Sequence, residues 1–123
     1  MSLQLALDTA TLPHSYPRAR EARRVCRLLQ VATAAAFGVP VAELRARSRR
    51  SAEVAFARQS AMYLAHVVLG LTYDAVGLAF NRDRTTAAHA CRMVEDRRDD
   101  PVIDRMLQML EAVCGEVARA VQP

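Results

Sequence analysis

The chain has 123 residues, of which 52% are hydrophobic and 5% aromatic, and it carries a formal net charge of +4. This length suits one globular domain, and the predominance of Ala, Leu, Val and Arg favours helices. So few aromatic residues argue against a stacking platform for single-stranded nucleic acid. We therefore predict an all-α fold, a compact domain of several helices.

The charge is distributed unevenly along the chain. Residues 18–58 hold ten Arg and three acidic residues, a net charge of +7, whereas residues 95–116 hold seven acidic residues and three Arg, a net charge of −4. The first region should carry a positive potential, and the second should face away from a polyanion.

The three cysteines, Cys26, Cys91 and Cys114, each fall on an apolar helical face without a neighbouring Cys. This pattern predicts buried, reduced thiols in a cytoplasmic protein. No apolar run reaches membrane-spanning length, and the first residues lack the features of a signal peptide. Because His66 has no second ligand three or four residues away, we expect no metal site. We also expect no cofactor and no membrane partner.

The first part of the chain contains an arm, a helix and a short helical turn. Residues 1–16 carry no strong period and are predicted to be a flexible arm; a strand or helix that docks on a partner is the alternative. Residues 17–123 should form one helical domain, whose first helix ends before Gly38. The following phrase, VPVAEL, predicts one helical turn with Val41 and Leu44 packed inward.

Residues 45–52 form a predicted basic loop, with four Arg within six positions: Arg45, Arg47, Arg49 and Arg50. A solvated loop is one interpretation. The other is a loop that contacts phosphates or inserts an Arg into a narrowed minor groove. We favour the second, because the loop directly precedes a helix that would support a DNA-reading unit. That helix is predicted over residues 53–69 as the longest of the core, with Arg58 off its buried stripe, either on the surface or holding a phosphate.

Residues 72–98 have the pattern of a helix-turn-helix. Thr72 and Asp83 can cap its two helices, and Asn81 tolerates the left-handed conformation that ends the first. The N-terminal end and outer face of the second helix would then meet DNA bases and phosphates. Two short helices with a polar turn also occur in purely structural roles. This turn, however, concentrates charge and hydroxyl groups where one cap would suffice: Arg82, Arg84, Thr85 and Thr86.

A last helix is predicted over residues 101–120, with Asp100 as its cap and Pro101 at its first position. Its apolar stripe is wide enough for one part to close the core and another part to form a homodimer. Four methionines are interpreted as gap-filling core residues: Met62, Met93, Met106 and Met109.

From about Val25 to Val113 the sequence resembles the carboxy-terminal DNA-binding domain of the bacterial replication initiator DnaA. Three phrases carry the resemblance: VAEL followed by an Arg-rich loop, RQSAMYLA at 58–65 and VGLAFNRDRTTAAHA at 76–90. The resemblance implies an all-helical, Trp-repressor-like fold in which a basic loop and a helix-turn-helix grip a short duplex site.

The resemblance also implies roles for side chains. Arg50 would reach the minor groove, the signature residues Arg82, Asp83, Thr85 and Thr86 would meet bases and phosphates in the major groove, and Arg58 and His89 would contact or support the backbone. In the resulting hypothesis, bases are read by Arg50, Asp83, Arg84, Thr85 and Thr86. Phosphates are held by Arg45, Arg47, Arg49, Arg58, Arg82, His89 and Arg92.

The chain departs from the family at the turn. A Gly-Gly pair of the family is replaced by the single Asn81, which shortens the turn by one residue. The family's signature His is Arg84 here, and its fork prefers guanine O6 and N7 to a thymine methyl. We therefore expect a DNA site different from the initiator's own box. Because the sequence has no G-x-x-x-x-G-K-S/T phosphate loop, we expect a stand-alone DNA-reading domain without the ATPase module.

Three functions fit this pattern. The favoured one is a sequence-specific, double-stranded DNA-binding protein, nucleoid-associated, that regulates transcription. The alternatives are a replication modulator that competes for initiator boxes and a protein-interaction adaptor that has lost DNA binding. We expect no enzyme, because Cys91 lies on an apolar face and His89, two residues before it, points to a different face.

Overall fold

The computed structural model describes residues 19–46 and 51–120, and within them it contains five α-helices and one 3-10 helix. They are α1 (Ala19–Phe37), the 3-10 helix (Val41–Leu44), α2 (Ala52–Val67), α3 (Tyr73–Ala79), α4 (Arg84–Arg97) and α5 (Pro101–Ala120). The predicted all-α fold is confirmed. The predicted arm lies outside the described residues, as do three arginines of the basic loop: Arg47, Arg49 and Arg50.

Helix α2 is the centre of the fold. It packs most extensively against α4 and α1, and it also contacts α3, α5 and the 3-10 helix. Buried residues therefore occur all around α2, as in a helix enclosed by others. Among them Ala57, Ala61 and Ala65 are fully buried. Their small side chains allow the surrounding helices to approach closely.

The helix ends follow local signals in the sequence. Gly38 and Gly70 have φ angles of 68° and 70°, in the left-handed region that glycine enters without strain. Each ends the helix before it, as predicted. At the start of α5, the Asp100 carboxylate accepts a hydrogen bond from the Val102 amide at 2.9 Å, which confirms the predicted cap.

Some packing predictions were wrong. Helix α5, with 20 residues, is longer than α2, with 16, so α2 is the central helix but not the longest one. Val41 is 41% exposed while Leu44 is fully buried, because α2 meets the 3-10 helix at its C-terminal end. Met93 and Met109 also lie on outer helix faces and are exposed.

A polar network fastens α5 to the rest of the domain. The Arg98 guanidinium donates to Asp104 at 2.5 Å, to Glu111 at 2.9 Å and to the Tyr63 hydroxyl at 3.0 Å. The Tyr63 hydroxyl in turn donates to Glu95. Burial, reinforced by the Glu95 carboxylate, raises the pKa of Tyr63 to about 12, so its hydroxyl remains a donor. The network joins α2, the end of α4 and α5.

Candidate nucleic-acid interface

The turn between α3 and α4 closes through a Schellman motif. Asn81 has a φ angle of 58°, which confirms its predicted left-handed conformation. The Arg82 amide donates to the Gly77 carbonyl at 2.7 Å, and the Asn81 amide donates to the Leu78 carbonyl at 3.4 Å. These bonds satisfy the last carbonyls of α3, so one left-handed residue is sufficient to end this helix.

Gly77 allows the turn to lie directly against α3. A Cβ atom at this position would lie 2.5 Å from the carbonyl oxygen of Arg82 and 3.1 Å from the carbonyl carbon and oxygen of Asp83. These are backbone atoms, which cannot rotate away as a side chain could. This role of Gly77 was not predicted from the sequence. A glycine inside so short a helix was the signal that could have revealed it.

Both helices of the unit begin with the predicted caps. The Thr72 hydroxyl accepts a hydrogen bond from the Ala75 amide at 3.1 Å, and the Asp83 carboxylate accepts one from the Thr86 amide at 2.8 Å. The Thr86 amide holds the pKa of Asp83 below its ordinary value, so this carboxylate is ionised at neutral pH. Asp83 therefore fixes the start of α4, and its contact with a base stays a prediction.

Helix α4 divides into the two faces that the sequence predicts. Its inner face is buried through Ala87, Ala90, Cys91 and Val94. Its outer face exposes five of the residues proposed to contact DNA: Arg84, Thr85, Thr86, His89 and Arg92.

Arg84 has one loose partner. Its Nε lies 3.9 Å from the Asp74 carboxylate, and the two side chains are 68% and 72% exposed. An ion pair as exposed as this contributes about 1 kcal/mol at most. The guanidinium of Arg84 therefore stays accessible to a base edge.

An open groove of about 650 Å³ lies between the start of α2 and the outer face of α4. Ser51 and Gln59 line it on the α2 side, and Arg82, Thr86 and His89 line it on the other. Ser51 also caps α2, since its hydroxyl accepts a hydrogen bond from a backbone amide of the first turn at 3.2 Å. The carboxyl end of the basic loop is thereby fixed beside the recognition helix, α4.

Arg82 ties the other end of the loop to the turn. Its Nη2 donates to the Ala46 carbonyl at 2.5 Å, and its Nη1 donates to the Phe80 and Asn81 carbonyls at 3.2 and 3.0 Å. Ala46 and Ser51, near the two ends of the predicted loop, therefore both lie against the helix-turn-helix. Arg82 was predicted to hold a phosphate, and this link between distant parts of the chain was not predicted.

Arg58 is buried, contrary to its predicted position off the core stripe. It is 6% exposed, its Nε donates to the Leu44 carbonyl at 3.1 Å, and its Nη2 donates to the Glu43 carbonyl at 2.8 Å. Buried carbonyls need such donors, and α2 crosses the end of the 3-10 helix at this point. We therefore assign Arg58 a supporting role and remove it from the set of phosphate contacts.

The cysteines are free and buried, as predicted. Burial raises the pKa of each thiol to about 11, so little thiolate is present at neutral pH. In the described ranges no group of three or more His, Cys, Asp or Glu could hold a metal ion. None of the helices within those ranges is long and apolar enough to cross a membrane.

Comparison with known proteins shows the family. The model of the bacterial DnaA protein helix-turn-helix matches residues 26–94. The chain is 35% identical over 104 residues to the chromosomal replication initiator protein DnaA of Bartonella quintana, covering 82% of this chain and 21% of that protein. It is 36% identical over 95 residues to the protein of that name from Caulobacter sp., covering 76% and 19%.

The chain thus spans about a fifth of the length of these relatives. A crystal structure of a DNA replication initiation factor superposes with a TM-score of 0.73 and 26% sequence identity, covering 80% of this chain and 30% of that one. The matched residues include α2 and most of α4, the two helices that line the groove, together with α3. The chain belongs to the family of the bacterial DnaA helix-turn-helix.

Proposed function

We propose that this chain binds double-stranded DNA sequence-specifically and regulates transcription. The supporting observation is a shared surface. Arg84 and Thr85 are exposed at the capped start of α4, and Ala46 and Ser51 hold the basic loop against the same unit. A helix and a loop on one surface can approach a duplex together, the helix in the major groove and the loop in the adjacent minor groove.

Each side chain has a role in this proposal. Arg84 pairs with guanine O6 and N7, Asp83, Thr85 and Thr86 contact neighbouring bases, and Arg50 enters the minor groove. Arg82 positions the loop. Phosphates are held by Arg45, Arg47, Arg49, His89 and Arg92. The proposal includes no catalytic step.

A replication modulator is the second candidate, because the two relatives named above are replication initiators. Such a modulator would compete for the initiator's boxes. Arg84, in place of the His of the family signature, and the short turn at Asn81 both favour a different site. We therefore rank transcriptional regulation first.

Selection of bound sites from a random duplex pool, at stated salt, tests these candidates. A motif with guanine at the position that Arg84 contacts, distinct from the initiator box, supports the regulator, and recovery of the initiator box supports the modulator. If about five phosphates are neutralised, log K should fall with log salt at a slope of about −4.5. No enriched motif and no salt-sensitive retardation would contradict DNA binding and favour the protein-interaction adaptor.

Replacing Arg84 distinguishes a contact with a base, which affects only the selected site, from a contact with a phosphate, which affects any duplex. Arg84→Ala should weaken binding to the selected site by about 1–3 kcal/mol and change binding to random duplex little. The matched control, Arg92→Ala, should weaken both alike and reduce the salt slope by about 1. Competition gel retardation with the two duplexes measures both variants. Equal losses for Arg84→Ala on both duplexes would reduce Arg84 to a phosphate contact.

A further inference from the structure

Helix α5 carries an exposed stripe that no other part of the described chain covers. Val102, Met109 and Val113 are 75%, 66% and 49% exposed. At 100° per residue they fall within about 40° of one another around the helix. Arg105 and Glu116, both exposed, lie on the same face, and Glu116 also accepts a hydrogen bond at 2.6 Å from Arg119 of its own helix in an exposed ion pair. Single exposed apolar residues are ordinary on a protein surface, so their alignment is the feature that needs an explanation.

We propose that α5 pairs in an antiparallel orientation with α5 of a second copy of this chain. In the register that we infer, Met109 of each copy lies against Ala112 of the other, with a twofold axis between the two contacts. A large side chain then faces a small one, as interdigitating helices require. Ala112 is exposed beside the stripe, about 60° from Met109 around the helix, so it is accessible to this contact.

The charges on the stripe select this orientation. Arg105 lies four residues before Met109, and Glu116 lies four residues after Ala112. The antiparallel register therefore places Arg105 of each copy opposite Glu116 of the other. A parallel pair would instead align Arg105 with Arg105 and Glu116 with Glu116, and facing like charges are unfavourable.

The length of α5 limits the strength of the pairing. Its 20 residues span about 30 Å, and one such helix pair covers less than the roughly 800 Å² per partner of a standard stable interface. The free chain should therefore associate weakly and in a concentration-dependent way. Two copies held on one duplex have a higher effective concentration, so suitable DNA should strengthen the pairing.

The stripe lies away from the groove. Helix α5 packs mainly on α1, whereas α4 packs on α2 and α3, so a second copy on α5 leaves the start of α4 open. A twofold pair would present two recognition helices related by symmetry, which read an inverted repeat of one half-site. Only this last step rests on the proposed function, since the pairing itself needs no DNA.

Sedimentation equilibrium of the full chain without DNA, over a range of concentrations, tests the pairing. Arg105→Glu and Glu116→Arg each bring like charges together at both ends of the interface. Each should raise the dimer Kd by about tenfold or more. An equimolar mixture of the two variants should regain association, because every facing pair is then opposite in charge. Arg24→Glu, an exposed charge reversal on α1, is the control that should change nothing.

Three results of this experiment would overturn the proposed pairing. A monomer at every concentration, or a dimer that survives both single reversals, overturns the proposal. So does a mixture that stays as dissociated as its components. Circular dichroism confirms that the variants fold, and retardation of a single half-site duplex is measured on the same samples. A monomeric protein that still binds the half-site would overturn the pairing and leave the proposed function standing.

Discussion

The arginines at the groove and the arginine of the Arg98 network, at the far end of α4, are fixed by different kinds of contact. At the groove, Arg58 and Arg82 donate to backbone carbonyls of the 3-10 helix, the loop and the turn. At the far end, Arg98 donates to the carboxylates of Asp104 and Glu111. Both arrangements fix a guanidinium in place, the first through carbonyl oxygens and the second through carboxylates.

The close ion pairs of the described residues follow the same division. A carbonyl has a dipole but no net charge, so these hydrogen bonds hold the two groove arginines without themselves cancelling a charge. Among the described residues, the ion pairs of 3 Å or less involve Arg98 and Arg119, near the two ends of α5, whereas Arg84 near the groove has a carboxylate at 3.9 Å. A surface that binds a polyanion requires this distribution.

The largest effect should come from removing a carbonyl-bound arginine in the core. Arg58→Met keeps most of the packing volume but removes the guanidinium donors from the Leu44 and Glu43 carbonyls. We expect the free energy of unfolding to fall by about 2–4 kcal/mol, measured by urea denaturation. The exposed control Arg92→Met should stay within about 0.5 kcal/mol of the parent. Similar results for both variants would show that Arg58 does not brace the 3-10 helix.

A methyl group at the turn should give the next largest effect. Gly77→Ala should lower the free energy of unfolding by about 1–3 kcal/mol, because its Cβ would meet the Arg82 and Asp83 backbone. The matched control is Gly115→Ala in α5, where the nearest atoms belong to the Arg119 guanidinium at 3.6 Å. It should stabilise the protein by about 0.5–1 kcal/mol. If both substitutions are stabilising, the turn has more room than the structure shows.

A pair of variants, Arg98→Met in the α5 network and Arg82→Met at the groove, tests whether only the groove arginine contributes to DNA binding. Arg98→Met should lower the free energy of unfolding by about 1–2 kcal/mol and leave half-site affinity and salt slope unchanged in the folded protein. Arg82→Met should weaken half-site binding by about tenfold, because it removes both a positive charge and the hold on Ala46. Fluorescence anisotropy at several salt concentrations measures both. Equal losses of affinity would remove the functional distinction between the two ends.

The smallest effect should be the pH dependence of the cap at α4. The lowered pKa of folded Asp83 means that its stabilisation is complete above the unfolded value of about 3.9 and is lost as pH falls through the folded value. Asp83→Asn keeps an acceptor but no titrating charge. Urea unfolding at about pH 5 and about pH 3 should therefore show a smaller decrease for the variant than for the parent. Identical decreases would show that the cap does not depend on ionisation.

Local features of the fold could be predicted from the sequence. The caps at Thr72 and Asp83 and the left-handed Asn81 each depend on residue types within about four positions. The inner face of α4 follows from helical periodicity over one short segment. The structure confirms these features, because each one is determined by residues close to it in the sequence.

The features that were missed depend on contacts between distant segments. The bond from Arg58 to Leu44 joins residues 14 positions apart, and the bond from Arg82 to Ala46 joins residues 36 apart. Nothing in the local sequence distinguishes these arginines from exposed ones such as Arg92. In the same way, the hydrophobicity of Met109 does not show whether its side chain packs in the core or lies on the surface.

The bond between Arg82 and Ala46 has a consequence for retargeting this domain by design. A chimera that exchanges residues 72–98 for those of a relative would orient the loop correctly only if the incoming turn still offers a donor to Ala46. Substitutions restricted to Arg84 and Thr85 leave that bond untouched. If Arg84 and Thr85 read bases as proposed, these two positions are the natural places to diversify in a library selected for binding to new DNA sequences.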